Sequence, residues 1–106
     1  MSLDYSIRAV RKVVVAEGNI THELGIMADE AGIYDAIWRP DEIGIKTASQ
    51  LIPWLEQGIK TLENNPSYYK EFNPDNGWGD YDVLLRFVKE LLSICREFPD
   101  GGYQAD

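Results

Sequence analysis

The chain has 106 residues, which is enough for one domain and too few for two. Its apolar fraction of 44% and its aromatic fraction of 11% are typical of a folded globular protein and argue against general disorder. The formal net charge of −8 makes nucleic acids and anionic membrane surfaces poor partners, because charges of the same sign repel. This charge favours a basic protein as partner, although solubility alone also explains it.

The chain contains one cysteine, Cys95, and one histidine, His22. A lone cysteine excludes an internal disulfide and a zinc site built from several cysteines, and we predict no metal and no other cofactor. No apolar run approaches the roughly 20 residues that span a bilayer, and no signal peptide is recognisable. We therefore expect a cytoplasmic protein that does not bind membranes.

Residues 4–16 form the only stretch with the character of a β-strand, since apolar and polar side chains alternate from Tyr5 to Val15. A strand needs a partner, and the sequence leaves three open. The best candidate is the short segment 42–46. A hairpin within residues 4–16 is the second option, although it lacks a turn signal. The third is the same strand of a second molecule, which gives a homodimer.

The first helix is predicted from about Thr21, a good N-cap, to Ala31. Its apolar stripe consists of Leu24, Met27, Ala28 and Ala31. Gly32 suits the left-handed position that ends a helix, with Ile33 folding back on Ala28. A further helical turn over residues 33–38 is stopped by the Arg39-Pro40 pair.

The second helix is predicted from about Thr47 to Asn64, beginning with a capping box between Thr47 and Gln50. The third runs from about Asp80 to Phe98 and is apolar over roughly 200° of its surface, so it must be covered on more than one side. The sequence thus predicts one helix-dominated α+β domain. An N-terminal strand or β-ribbon precedes three main helices, and the C-terminal helix is central. The ordered core spans about residues 4–99, and residues 100–106 form a mobile tail.

Few residues offer chemistry. His22-Glu23 lacks the second histidine of a zinc-protease helix, so His22 is either a surface residue at a helix start or a neutral hydrogen-bond donor or general base. Cys95 lies on the apolar arc of the third helix and is expected to be inert. The segment 72–82, FNPDNGWGDYD, does not fit a calcium loop, and its aspartates suit a helix start instead.

Two tryptophans, Trp38 and Trp78, lie in polar segments near arginine or glycine. Each either closes one end of the core or contacts a partner, because tryptophan and arginine are enriched in binding hot spots. The candidate ligand- or partner-binding residues are His22, Trp38, Arg39, Asn76 and Trp78.

Three blocks, GNITH, GIYDAIWRP and NPDNGWGDY, resemble a family of small single-domain bacterial and phage-associated proteins of unknown function. The resemblance covers roughly residues 17–100. It implies a single-domain, bacterial or prophage-borne cytoplasmic protein, and it carries over no catalytic or binding residue.

The sequence therefore favours a small, acidic, non-enzymatic protein-interaction domain with residues 72–82 and Trp38-Arg39 as its contact surface. No catalytic residue is assigned. The alternative is a small ligand-binding module or enzyme whose site lies where the loops around His22, Arg39 and Trp78 converge.

Overall fold

A computed structural model describes residues 2–8, 14–75, 77 and 79–105, with the backbone alone described at residues 2, 8, 14–19, 21 and 22. The N-terminal stretch is a hairpin in which β1 (Ser2–Arg8) pairs antiparallel with β2 (Val14–Thr21). The prediction of a hairpin is therefore correct, but its bounds are wrong, because the second strand extends beyond residue 16 to Thr21. The prediction that residues 42–46 pair with the first strand is wrong, because a 3₁₀ turn forms over Pro40–Ile43 instead.

The C-terminal residues add a third strand. β3 (Gly102–Ala105) pairs antiparallel with β1, so that the sheet order is β2-β1-β3. The Tyr103 side chain is buried, and its hydroxyl donates a hydrogen bond to the Ile37 carbonyl at 2.8 Å. The predicted mobile tail is therefore wrong for residues 102–105, because strand pairing and a buried aromatic ring hold them.

The segment before β3 also secures the start of a long helix. The N–H groups of Ala48 and Ser49 donate to the carbonyls of Gly101 and Pro99, at 2.7 and 2.9 Å. The first N–H groups of a helix have no partner within it, so these two bonds satisfy donors that would otherwise need water. The chain end thus ties the sheet to the helix layer.

The first predicted helix is shorter than expected. A 3₁₀ turn over His22–Leu24 leads into α1 (Gly25–Glu30), and α2 (Tyr34–Trp38) follows after Gly32. Gly32 has a φ of 79°, and the Ile33 N–H donates to the Ala28 carbonyl at 3.0 Å, as the sequence predicts.

The two long helices match their predictions closely. α3 (Ala48–Asn64) begins at the predicted capping box, where the Thr47 N–H donates to the Gln50 side chain at 3.1 Å. The short α4 (Pro66–Lys70) begins with proline. Asp80 is the N-cap of α5 (Tyr81–Glu97). Local capping signals set these boundaries.

The C-terminal helix is central, as predicted. It packs on α3, α4 and the sheet, and its Phe87 ring meets Tyr5 of β1 edge-to-face with centroids 5.6 Å apart. Seven α5 side chains are buried in one core: Tyr81, Leu84, Phe87, Val88, Leu91, Leu92 and Cys95. The protein is therefore a helix-dominated α+β domain.

Candidate functional site

Trp38, a predicted contact residue, is a buried support. Its side chain is only 6% exposed, and its ring stacks on Tyr34 with centroids 5.1 Å apart and an interplanar angle of 10°. The backbone of Gly25 lies close to the Tyr34 ring, since a Cβ atom at Gly25 would be 3.1 Å from Cε1 of the ring. Trp38 therefore offers little surface to a partner and instead fixes the position of Tyr34.

Arg39, the next predicted contact residue, is exposed. A hydrogen bond with the Tyr34 side chain and the charge of Glu42 raise the pKa of Arg39. Its guanidinium lies 3.5 Å from the Glu42 carboxylate in an exposed ion pair. The positive charge of Arg39 is thus partly balanced within its own segment.

The other three predicted site residues are not tested. Asn76 and Trp78 lie outside the described residues, as does the side chain of His22, whose backbone opens the 3₁₀ turn. The convergence of His22, Arg39 and Trp78 on one site therefore stays a prediction.

Two described polar side chains of segment 72–82 accept hydrogen bonds from the first turn of α5. The Asn73 side chain accepts a hydrogen bond from the Tyr81 N–H at 2.8 Å, and the Asp80 side chain accepts one from the Val83 N–H at 2.9 Å. Gly77 has a φ of 76°, in the left-handed region that glycine tolerates best. The prediction that the aspartates of this segment suit a helix start is confirmed for Asp80.

A cavity of about 480 Å³ opens between α1 and α2, lined by Gly25, Ile26, Asp29, Tyr34 and Asp35. We call these five residues the acidic corner. Ile26 is 68% exposed, far more than the other large apolar side chains that the structure describes. It lies outside the apolar stripe of the first predicted helix, and that offset is the sequence signal that could have revealed it.

The charge around the acidic corner is strongly negative. Residues 22–44 contain six acidic residues and one basic residue, so this fifth of the chain carries −5 of the net −8. Glu30 accepts a hydrogen bond from the Tyr68 hydroxyl at 3.1 Å. Among the residues that the structure describes, Asp29 and Asp35 have no ion-pair partner.

A second cavity, of about 580 Å³, lies between α3 and α5. We call it the interhelical groove; its lining includes Pro53, Ile59, Lys60, Leu92 and the residues of one ion pair. That pair joins Arg96 to Glu56 at 3.1 Å, and a neighbouring pair joins Lys89 to Glu63 at 2.9 Å. Both glutamates that line the interhelical groove, Glu56 and Glu63, therefore have an ion-pair partner within the chain.

Comparison with protein-family models, with curated proteins and with solved structures finds no match to this chain. The bacterial or prophage origin that the sequence blocks imply stays a prediction.

The described residues offer little for catalysis or metal binding. Burial raises the pKa of the Cys95 thiol to about 12, so the nucleophilic thiolate is scarce at neutral pH, as the sequence predicts. Within ranges 2–8, 14–75, 77 and 79–105, no group of three or more histidine, cysteine, aspartate or glutamate residues is placed to hold a metal ion. In the same ranges, no helix is both long and apolar enough to cross a bilayer.

Proposed function

We propose that this protein is a non-enzymatic protein-interaction domain that binds a basic segment of a partner protein at the acidic corner. One observation carries the proposal. An aliphatic side chain that is 68% exposed, Ile26, lies in a cavity bordered by two carboxylates that have no ion-pair partner among the described residues. An apolar centre with a polar rim is the usual composition of a protein contact surface.

The apolar side chain and the two carboxylates would contribute to binding in different ways. Covering Ile26 removes apolar surface from water, which supplies affinity. Asp29 and Asp35 attract a positively charged partner, increase the association rate and disfavour acidic competitors. The partner segment is therefore expected to carry lysine or arginine beside an apolar residue.

The residues of the acidic corner are also fixed by packing against the core. Tyr34 is held between Trp38 and the Gly25 backbone, and Ile33 packs so tightly on α3 that a Cβ atom at Gly58 would lie 2.4 Å from Cγ2 of Ile33. A surface whose side chains are already fixed loses less conformational entropy on binding. This favours recognition by a preformed surface.

Peptide display tests the proposal and reveals the chemistry of the bound segment in the same experiment. A random peptide library is selected on the wild-type protein and then counter-selected on the double variant Asp29→Lys/Asp35→Lys. We expect the retained peptides to be basic, to contain an apolar residue next to lysine or arginine, and to shift the backbone NMR signals of α1 and α2.

A matched control is the double variant Glu90→Lys/Glu97→Lys, which changes the net charge equally on the exposed side of α5. It should bind the selected peptides as the wild type does. Peptides that bind both double variants equally, or that have no excess of positive charge, would contradict the proposal.

A further inference from the structure

The two outer edges of the sheet differ. On the outer side of β3, the Tyr103 N–H donates to the Lys46 carbonyl at 2.9 Å, and Thr47 forms a bridge with Gly102. On the outer side of β2, no strand pairs with Val14–Thr21 in the part of the chain that the structure describes. One edge is therefore closed by the chain itself, and the other has no strand beside it among the described residues.

The open edge has only part of the usual protection against pairing, namely a shift in its register with β1 between Ile7 and Arg8 and one charged residue. Proline, lysine and short length are common ways to prevent a strand edge from pairing with another chain. β2 has the sequence VVAEGNIT, which contains no proline and no lysine, and its only charged residue is Glu17. Its eight residues are twice the length of β3.

The charge differs between the two ends of β2. At one end, Val14 pairs with Arg8, and Arg11 and Lys12 come just before Val14 in the sequence. At the other end, Thr21 leads directly into residues 22–44, which carry a charge of −5. In the sequence, β2 is therefore preceded by basic residues and followed by an acidic segment.

We propose that β2 pairs antiparallel with β2 of a second copy, giving a symmetric dimer with a continuous six-stranded sheet. Antiparallel pairing about a two-fold axis brings the start of each strand, which follows basic residues in the sequence, to the end of the other, which precedes the acidic segment, twice in one interface. Parallel pairing would place like charges together. The dimer uses the backbone edge of β2 and does not depend on the partner proposed for the acidic corner.

Oligomeric state and amide protection test the proposal together. Analytical ultracentrifugation of the full chain should show a reversible monomer–dimer equilibrium. Hydrogen exchange measured by NMR should show a set of alternate amides in β2 whose protection is lost on dilution, while the amides bonded to β1 stay protected. A monomer at every concentration up to the millimolar range, or outward β2 amides that exchange freely in a dimer, would overturn the proposal.

Charge variants test the orientation. The double variant Arg11→Glu/Lys12→Glu should raise the dimer dissociation constant by about tenfold or more, because it reverses the charge of the sequence that precedes β2. Lys46→Glu/Lys60→Glu changes the net charge equally at exposed sites away from β2 and should have a smaller effect. Added salt should weaken the wild-type dimer, since exposed charges are screened. Equal effects of the two double variants would contradict the antiparallel arrangement.

Discussion

The acidic corner and the interhelical groove are depressions of similar size that treat their carboxylates differently. In the groove region, Glu56 and Glu63 each reach a cation on α5, at 3.1 and 2.9 Å. In the corner, Asp29 and Asp35 have no such partner among the described residues. Both glutamates of the groove therefore have an ion-pair partner within the chain, whereas the two aspartates of the corner have none among the described residues. The corner is therefore the better candidate for a binding site, although the groove is somewhat larger.

The largest expected effect comes from reversing the charge of the corner. Asp29→Lys/Asp35→Lys should weaken binding of the selected basic peptides by about 100-fold, because two attractive contacts become repulsive. Stability should change by less than about 0.5 kcal/mol, since both side chains are exposed. Isothermal titration calorimetry and urea unfolding measure the two quantities. The groove variant Glu56→Lys/Glu63→Lys should do the reverse, lowering stability and leaving binding intact.

The variant Gly58→Ala tests the close contact between Ile33, next to the acidic corner, and α3. Replacing a helical glycine by alanine usually stabilises by about 0.5–1 kcal/mol. Here the new Cβ would lie 2.4 Å from Cγ2 of Ile33, so we expect a net loss of about 1–3 kcal/mol in the free energy of unfolding.

Urea unfolding measures this loss, and a second background identifies its cause. In an Ile33→Ala chain, Gly58→Ala should be neutral or stabilising because the obstructing atom is gone. If Gly58→Ala stabilises the wild-type chain, the corner does not rest on a tight contact with α3.

The apolar part of the corner is tested by Ile26→Ser. We expect binding of the selected peptides to fall by about tenfold, while stability changes little because the side chain is 68% exposed. Ile43→Ser is the matched control, since Ile43 is also exposed and does not line the corner. Equal losses for both variants in a calorimetric titration would show that the corner has no special role.

The smallest effect is expected in the groove. Both ion pairs there are about half exposed, so each should contribute only about 0.2–1 kcal/mol. A double-mutant cycle of Glu63→Gln and Lys89→Met, measured by urea unfolding, should give a coupling energy in this range that shrinks as salt is added. A coupling energy well above this range would mean that the pair is a main support of the α3–α5 contact.

The helices were predictable because their signals are local. Thr47 with Gln50, and Asp80, specify helix starts through residues that are neighbours in the sequence, and both starts are found where the sequence puts them. Strand pairing depends on distant residues. The segment 102–105 is too short to show a periodic pattern, and its partner in β1 lies about a hundred residues away along the chain.

The candidate site was predicted less well than the fold. The sequence left two roles open for Trp38, closing one end of the core or contacting a partner, and its burial beside the stacked Tyr34 ring agrees with the first. The offset of Ile26 from the helical stripe is a weaker signal, because single apolar residues outside such a stripe are common on protein surfaces. The importance of Ile26 comes from the neighbouring carboxylates. Asp29 is three residues further along the same helix, and the packing of α1 against α2 brings Asp35 to the same cavity.

The pairing of β1 with β3 joins the first described strand of the chain to the last. During synthesis, β1 leaves the ribosome long before β3 exists, so the hairpin must wait with one side of its first strand unpaired. The bonds from Pro99 and Gly101 to the start of α3 are delayed in the same way. Contacts between residues so far apart in sequence form slowly. The sheet is therefore completed only after nearly the whole domain has been translated, and a chain that stops before Gly102 would leave both sides of the hairpin open to pairing with other molecules.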